Sequence, residues 1–315
     1  MSLTPNRFGD ALAAPLRLIP APLSAWGRGW CGAVASILEA AAAKPGNVHP
    51  HAPFPDLTFS DLVAAGLAIA PALEAATEKP LGRTILDAVT AARSATRSNA
   101  NLGIVLLVAP LAAVSDDRGP ATPSAVEQVF GLLAAADAAA IWTAIQAARP
   151  GGLGTSSRWD LAGPPPPDIR AAMQVSAGHD TIARLWARGY DELFTGPVAD
   201  LAAAIAAGVP LETAIIRCHL RQLARRADSL IARRHGEATA AEVSARAADL
   251  IAWEEDARWP EAVAAFDASL RQPRRLNPGT TADLVAAALY ILLRDGRLQA
   301  ELPFPTPPRS LASIP

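Results

Sequence analysis

The chain has 315 residues, of which 51% are hydrophobic, 5% aromatic and 18% charged. Its formal net charge of -2 lacks the basic excess that non-specific nucleic-acid binding runs on. Two cysteines, Cys31 and Cys218, are too few for a disulfide scaffold or a four-thiolate zinc site and read as small buried apolar residues of a reducing cytoplasm.

From the N-terminus, the apolar stretch after Arg7 is interrupted by Pro15, Pro20 and Pro22, which a signal peptide would not tolerate. Residues 1–30 read as an extension, 31–295 as one helical domain and 296–315 as a tail. Alanine-rich segments with helical spacing recur over Gly32–Ala43, Phe59–Ala76, Gly82–Ser94, Leu102–Val114, Pro123–Ala148, Val198–Ala207, Leu211–Arg234, Ala240–Asp256, Trp259–Leu270 and Thr280–Arg294. Strand-type alternation is missing, so the expected fold is all-α, a single multi-helix orthogonal bundle. The longest apolar run, Leu102–Val114, is shorter than the roughly 20 residues of a membrane span and reads as a buried helix. Ser60-Asp61, Thr239 and Thr280-Thr281 read as helix starts. Residues 149–168, with Gly151-Gly152-Leu153-Gly154 and Pro164–Pro167, read as a mobile insertion over a cleft or as a linker. An Ala-rich surface also permits a homodimer.

Four segments carry residue types suited to chemistry. After a helix carrying Glu39, the turn Lys44-Pro45-Gly46-Asn47 would aim Lys44, Asn47 and backbone amides at one space, as a phosphate chain requires; the plain alternative is a helix stop with a solvated lysine. His49 and His51 with Asp56 form only a weak metal pattern. Asn99 and Asn101 stand at the start of the apolar helix, where free N–H groups favour anions. Asp180 with Arg184 and Asp228 with Arg233 form an internal echo, Asp-hydroxyl-apolar followed by Ala-Arg. Their carboxylates suit Mg²⁺ and their guanidiniums suit phosphate, with interhelical ion pairs as the alternative. Finally, in Asn277-Pro278-Gly279-Thr280-Thr281-Ala282-Asp283, Asn277 and Thr280 would face a ligand. Asp283 would either compensate the helix dipole or take part in catalysis.

Taken in order, EAAAAKPGNV (39–48), DLTFS (56–60), SNANLGIVLLVAPLA (98–112), HDTIARLWARGYDELF (179–194), DSLIARRHG (228–236) and NPGTTADLVAAAL (277–289) resemble the triphosphoribosyl-dephospho-CoA synthase family. The resemblance implies an all-helical enzyme of cofactor biosynthesis that uses ATP as a ribosyl donor. Such an enzyme would attach a 5-triphosphoribosyl group to a ribose hydroxyl of 3′-dephospho-CoA and release adenine. Where better-known members carry Asn-Thr-His-Lys-Gly, this chain has Asn99-Ala100-Asn101-Leu102-Gly103, closer to an archaeal and one-carbon-metabolism branch. On this reading Lys44, Arg184, Arg233 and Mg²⁺ anchor the triphosphate, and Asp180 and Asp228 hold the metal. Glu39, or secondly Asp283, deprotonates the acceptor or stabilises an oxocarbenium-like transition state. Two other readings stay open: ribosyl transfer to a pterin-like acceptor, and a non-catalytic nucleotide-binding helical module. The partners are small molecules, with neither nucleic acid nor membrane among them.

Overall fold

The computed structural model describes residues 27–96, 101–116, 119–148 and 159–298. Among them the chain is all-α, without a strand. The helices are α1 (Arg28–Ala41), α2 (Phe59–Ala68), α3 (Ala70–Glu74), α4 (Leu81–Ala95), α5 (Leu102–Ala112), α6 (Pro123–Phe130), α7 (Ala135–Ala148), α8 (Ile169–Ser176), α9 (Thr181–Arg188), α10 (Asp191–Leu193), α11 (Ala199–Ala206), α12 (Leu211–Arg225), α13 (Ser229–His235), α14 (Glu237–Ile251), α15 (Trp259–Arg271) and α16 (Gly279–Arg294). A π-helical turn, Phe194–Val198, joins α10 to α11.

Two helices form the centre. In α5 every residue from Ile104 to Ala112 is buried, and in α16 every residue from Val285 to Leu293. Such helices are apolar all round because they have no solvent face. The main core packs around this pair. A second apolar cluster gathers Leu220, Leu223, Ile231, Val243, Trp259, Phe266 and Leu276 from α12 to α15 and the start of the α16 loop. α12 spans both, with Ile215 and Cys218 in the first and Leu220 and Leu223 in the second. Among the described residues no single helix is long and apolar enough to cross a membrane.

Several predicted helices are interrupted by local chemistry. Phe59–Ala76 divides at Ile69, just before Pro71, into α2 and α3. Pro123–Ala148 divides into α6 and α7, bent by 105°. Asp137 in the first turn of α7 accepts Ala134 N at 3.0 Å and, across the helix pair, Gly82 N at 2.8 Å. Leu211–Arg234 divides where Asp228 caps α13. The start expected at Ser60-Asp61 is a capping box between Thr58 and Asp61. α14 begins at Glu237, ahead of Thr239, because Gly236 takes a φ of 91°. Residues 1–26, 149–158 and 299–315 lie outside the described residues. The described end of the Gly/Pro-rich segment lies along α7, where Trp142 Nε1 donates to Gly163 O at 3.2 Å.

Pro110 inside α5 shows how this core tolerates a helix breaker. Proline has no N–H for the carbonyl four residues earlier, that of Leu106. A buried carbonyl needs a donor. Trp186 Nε1 supplies one at 2.9 Å, and the Tyr190 hydroxyl reaches the carbonyls of Leu106 and Leu107 at 3.3 and 3.2 Å. Both side chains are fully buried, so α9 is fixed to α5 by a polar contact inside the core. Trp186→Phe removes the shorter donor and part of the packing. The expected cost is about 1–3 kcal/mol, read as a lower urea midpoint with an unchanged denaturant slope. A wild-type midpoint would show that the indole N–H contributes nothing.

Candidate active site

The first turns of four helices meet at the seam between the two apolar clusters. Asp228 makes the central link. Its Oδ1 caps α13 by accepting Leu230 N (2.8 Å) and Ile231 N (3.0 Å), while its Oδ2 accepts both the backbone N and the hydroxyl of Thr281 at 2.8 Å. The start of α13 is thereby tied to the start of α16. Ser229 Oγ donates to Thr280 Oγ1 at 3.0 Å and accepts from Thr181 N at 3.5 Å, which brings in α9. Asp180 caps α9 through Ala183 N at 2.9 Å and forms an ion pair with Arg233. α5 enters through Gly103. A Cβ there would stand 2.0 Å from Asp283 Oδ2 and 2.9 Å from Ile182 Cδ1, so the Asp283 carboxyl lies directly against the α5 backbone. The first turn of α5 has no side-chain cap and leaves N–H groups and the positive end of its dipole at this place, whereas α9 and α16 have first-turn N–H groups committed to Asp180, Ser229 and Asp228.

The other wall is the turn after α1. Gly46 has φ 78°, and a Cβ on it would lie 2.6 Å from Leu276 O, so only glycine lets this turn pack on the segment before α16. Lys44 is fully buried. Its Nζ bonds Glu39 Oε1 at 2.9 Å, Ala42 O at 3.2 Å and the Glu39 carbonyl. An ammonium has three protons, and all three are taken. Lys44 therefore neutralises Glu39 and closes the end of α1, and has no proton left for a phosphate. Asn47 is fixed equally firmly. Its Nδ2 donates to Asn277 Oδ1 at 2.7 Å and to Pro278 O at 3.3 Å. A backbone carbonyl only accepts, so the amide cannot be turned round. Oδ1 is left buried and without a hydrogen-bond partner. Phosphate oxygens offer no proton, so the free atom of Asn47 suits a hydroxyl or amine. Asn101 is complementary. It is held at φ 71° and 7% exposed, and its Nδ2 lacks an acceptor. Arg233 Nε is likewise buried and unbonded. Buried polar atoms left unbonded in this way mark a place where a ligand is expected.

The carboxyls here are in unlike conditions. Asp283 has neither hydrogen bond nor ion pair among the described residues. Burial pushes its pKa well above the ordinary carboxyl value, and the like charges of Glu39, Asp228 and Asp180 push it further, against Arg233. Burial also raises Asp228, opposed by its hydrogen bonds. Nothing in the local pattern of α12 singles out His219. It is fully buried near Lys44 and Pro45, and burial, followed by the Lys44 charge, holds it neutral.

A family model described as ATP:dephospho-CoA triphosphoribosyl transferase matches residues 26–301, which contain every one of these segments. The chain belongs to this family. It is accordingly a transferase of the triphosphoribosyl-dephospho-CoA synthase type. A crystal structure from Archaeoglobus fulgidus, provisionally named triphosphoribosyl-dephospho-CoA synthase, shares the fold with a TM-score of 0.58 at 21% identity, covering 74% of this chain and 98% of that one. No curated protein sequence matches.

Of the residues singled out in the sequence, the fold brings Glu39, Lys44, Asn47, Asn101, Asp180, Asp228, Arg233, Asn277, Thr280 and Asp283 to this seam. Asn99 lies outside the described residues. Arg184 pairs with Glu192 at 3.0 Å and lines a neighbouring cleft. As a Mg²⁺ pair Asp180 and Asp228 fit poorly, since Asp228 already accepts four hydrogen bonds and Asp180 Oδ2 faces Arg233. Asp56 is paired with Arg275, and no group of three His, Cys, Asp or Glu side chains is arranged for a metal among the described residues.

The condition of Asp283 carries a stability signature. A carboxyl whose pKa is raised by folding binds its proton more tightly in the native state. Its contribution is therefore most favourable below the ordinary value of 3.8 and is lost as pH rises through the raised one. Asp283→Asn keeps the shape and removes the penalty. The variant should be more stable than wild type at neutral pH, by a margin that shrinks towards pH 4, as read from urea denaturation across that range. A variant less stable at pH 7 would mean that Asp283 is compensated.

Proposed function

We propose that this pocket holds ATP beside the acceptor and moves the 5-triphosphoribosyl group from ATP to a ribose hydroxyl of 3′-dephospho-CoA, releasing adenine. The observation that carries the reading is the pair of unlike carboxyls: Glu39, whose charge is met by Lys44, and Asp283, which has no counter-charge. In the reaction the bond from the ribose anomeric carbon to adenine breaks, and a bond from that carbon to the acceptor oxygen forms. Adenine must gain a proton and the acceptor hydroxyl must lose one. A carboxyl pushed up in pKa keeps a proton to give, so Asp283 protonates the departing base. Glu39 receives the acceptor's proton. Carboxylates beside the ribose would favour the positive charge that develops on it.

The triphosphate takes the uncapped first turn of α5, with Arg233 Nε and Asn101 Nδ2 as side-chain donors. Asn47 Oδ1 accepts from a ribose hydroxyl, and Thr280 and Asn277 close the α16 side. Lys44 serves Glu39 and not the phosphates. Mg²⁺ accompanying ATP would take most of its ligands from phosphate oxygens and at most one carboxylate, Asp180, and would offset triphosphate charge. An uncompensated carboxyl costs stability, and a non-catalytic nucleotide module gains nothing from keeping one.

Incubation with ATP and 3′-dephospho-CoA, followed by chromatography for free adenine, tests this directly. Asp283→Asn and Glu39→Gln should each lower adenine release by about 10²–10⁴-fold, while ATP affinity by calorimetry stays within a few-fold of wild type. Wild-type turnover in either variant removes that residue from the proton transfers. Adenine release that requires a pterin and ignores dephospho-CoA would replace the acceptor.

A further inference from the structure

Next to the helix starts lies a half-open cleft of ≈ 450 Å³ lined by α9, the π-helical turn, the end of α12, Asp228 and Ser229 at the start of α13, and the first turn of α16. Resting on the reaction proposed above, we infer that this cleft binds the diphosphate of the acceptor nucleotide.

The charges of its lining point to an anion. Arg184, with a side chain only 6% exposed, and Arg226, 53% exposed, share a single carboxylate, that of Glu192, at 3.0 and 3.7 Å. Two cations on one anion leave a positive charge over, and Asp228, the other carboxylate of the lining, is engaged by four N–H and O–H donors. Glu192 is itself 53% exposed and can turn away into solvent. In the free protein its carboxylate thus stands where a phosphate group would sit between the two guanidiniums. A diphosphate would match both charges, and guanidiniums bind phosphate oxygens in a fork. Arg225, the third cation of the cleft, is already committed to Asp200.

The walls are built for close approach. Gly196, in the π-helical turn, would place a Cβ 3.0 Å from Gln222 Oε1, so a larger residue would crowd the cleft. π-helical turns recur at functional sites, since they displace side chains from the regular spacing. The cleft also communicates with the reacting groups. Thr280 lines it, and Asp283 stands three residues further along α16, an adjacent position on the helix surface. A reaction joining two nucleotides needs two separate places for phosphate. The first turn of α5 with Arg233 gives one, and the Arg184–Arg226 cleft gives the other.

Calorimetric titration of wild type, Arg226→Ala and Glu192→Gln with 3′-dephospho-CoA and, separately, with ATP tests the assignment. Arg226→Ala should weaken dephospho-CoA binding by about tenfold or more. Glu192→Gln keeps the side-chain shape, removes the competing carboxylate and should tighten dephospho-CoA binding. ATP affinity should move in neither variant. Loss of ATP affinity in Arg226→Ala would give the cleft to the donor and overturn the inference. Wild-type dephospho-CoA affinity in both variants would overturn it while leaving the reaction intact. A wild-type protein that does not bind dephospho-CoA at all would overturn both the acceptor and its cleft.

Discussion

Asp283 is a largely buried carboxyl with neither hydrogen bond nor ion pair among the described residues, and the rest of the site is arranged around that fact. It stands in the first turn of α16, pressed against Gly103 at the start of α5, with Glu39, Asp180 and Asp228 all raising its pKa and Arg233 alone opposing them. An enclosed charge without a partner is costly, and a protein usually avoids it by neutralising the group. In the reaction proposed above the neutral form is the useful one, since a protonated acid is what a leaving purine requires.

The enclosure depends on how helix starts are tied together. Asp228 uses all its hydrogen-bonding capacity to link α13 with α16, and Ser229 extends the link to α9. Pro110 contributes from the core side, because the carbonyl it strands is met by Trp186 of α9. Opposite them the Lys44–Glu39 pair fixes the second carboxyl in a different electrostatic condition from the first. Two carboxyls of one seam thus stand in different surroundings, Glu39 paired with Lys44 and Asp283 without an ion pair among the described residues.

Much of the architecture was legible from the residues. Alanine-rich periodicity located most helices, though not α8, α9 or α10, and the solid apolar run of α5 marked the core. Interruptions were harder to see. The break at Ile69 comes with Pro71, but those at Ala134 and before Asp228 involve caps whose further partners come from elsewhere, such as Asp137 reaching Gly82. The segments that line the site were legible as well, and family membership accounts for their order. Individual roles were less so. Lys44 looked like a phosphate ligand because its type and turn suit one, yet its protons are consumed by Glu39 and two carbonyls, a count that only three dimensions supply. The echoed Asp/Arg segments pair crosswise, Arg233 with Asp180 of the other segment, while Arg184 turns to Glu192. Spacing within either segment could not reveal that. His219 carried no local signal, because nothing in α12 announces that it faces the Lys44 turn.

The central claim is that Asp283 holds its proton well above the ordinary carboxyl range. Infrared difference spectroscopy of wild type against Asp283→Asn, followed through a pH titration, isolates the vibration of this one group. A protonated carboxylic C=O band assignable to Asp283 that persists well above pH 4 is the expected result. A carboxylate band already complete near pH 4 would contradict the account, because an ionised Asp283 could not be the acid that releases adenine.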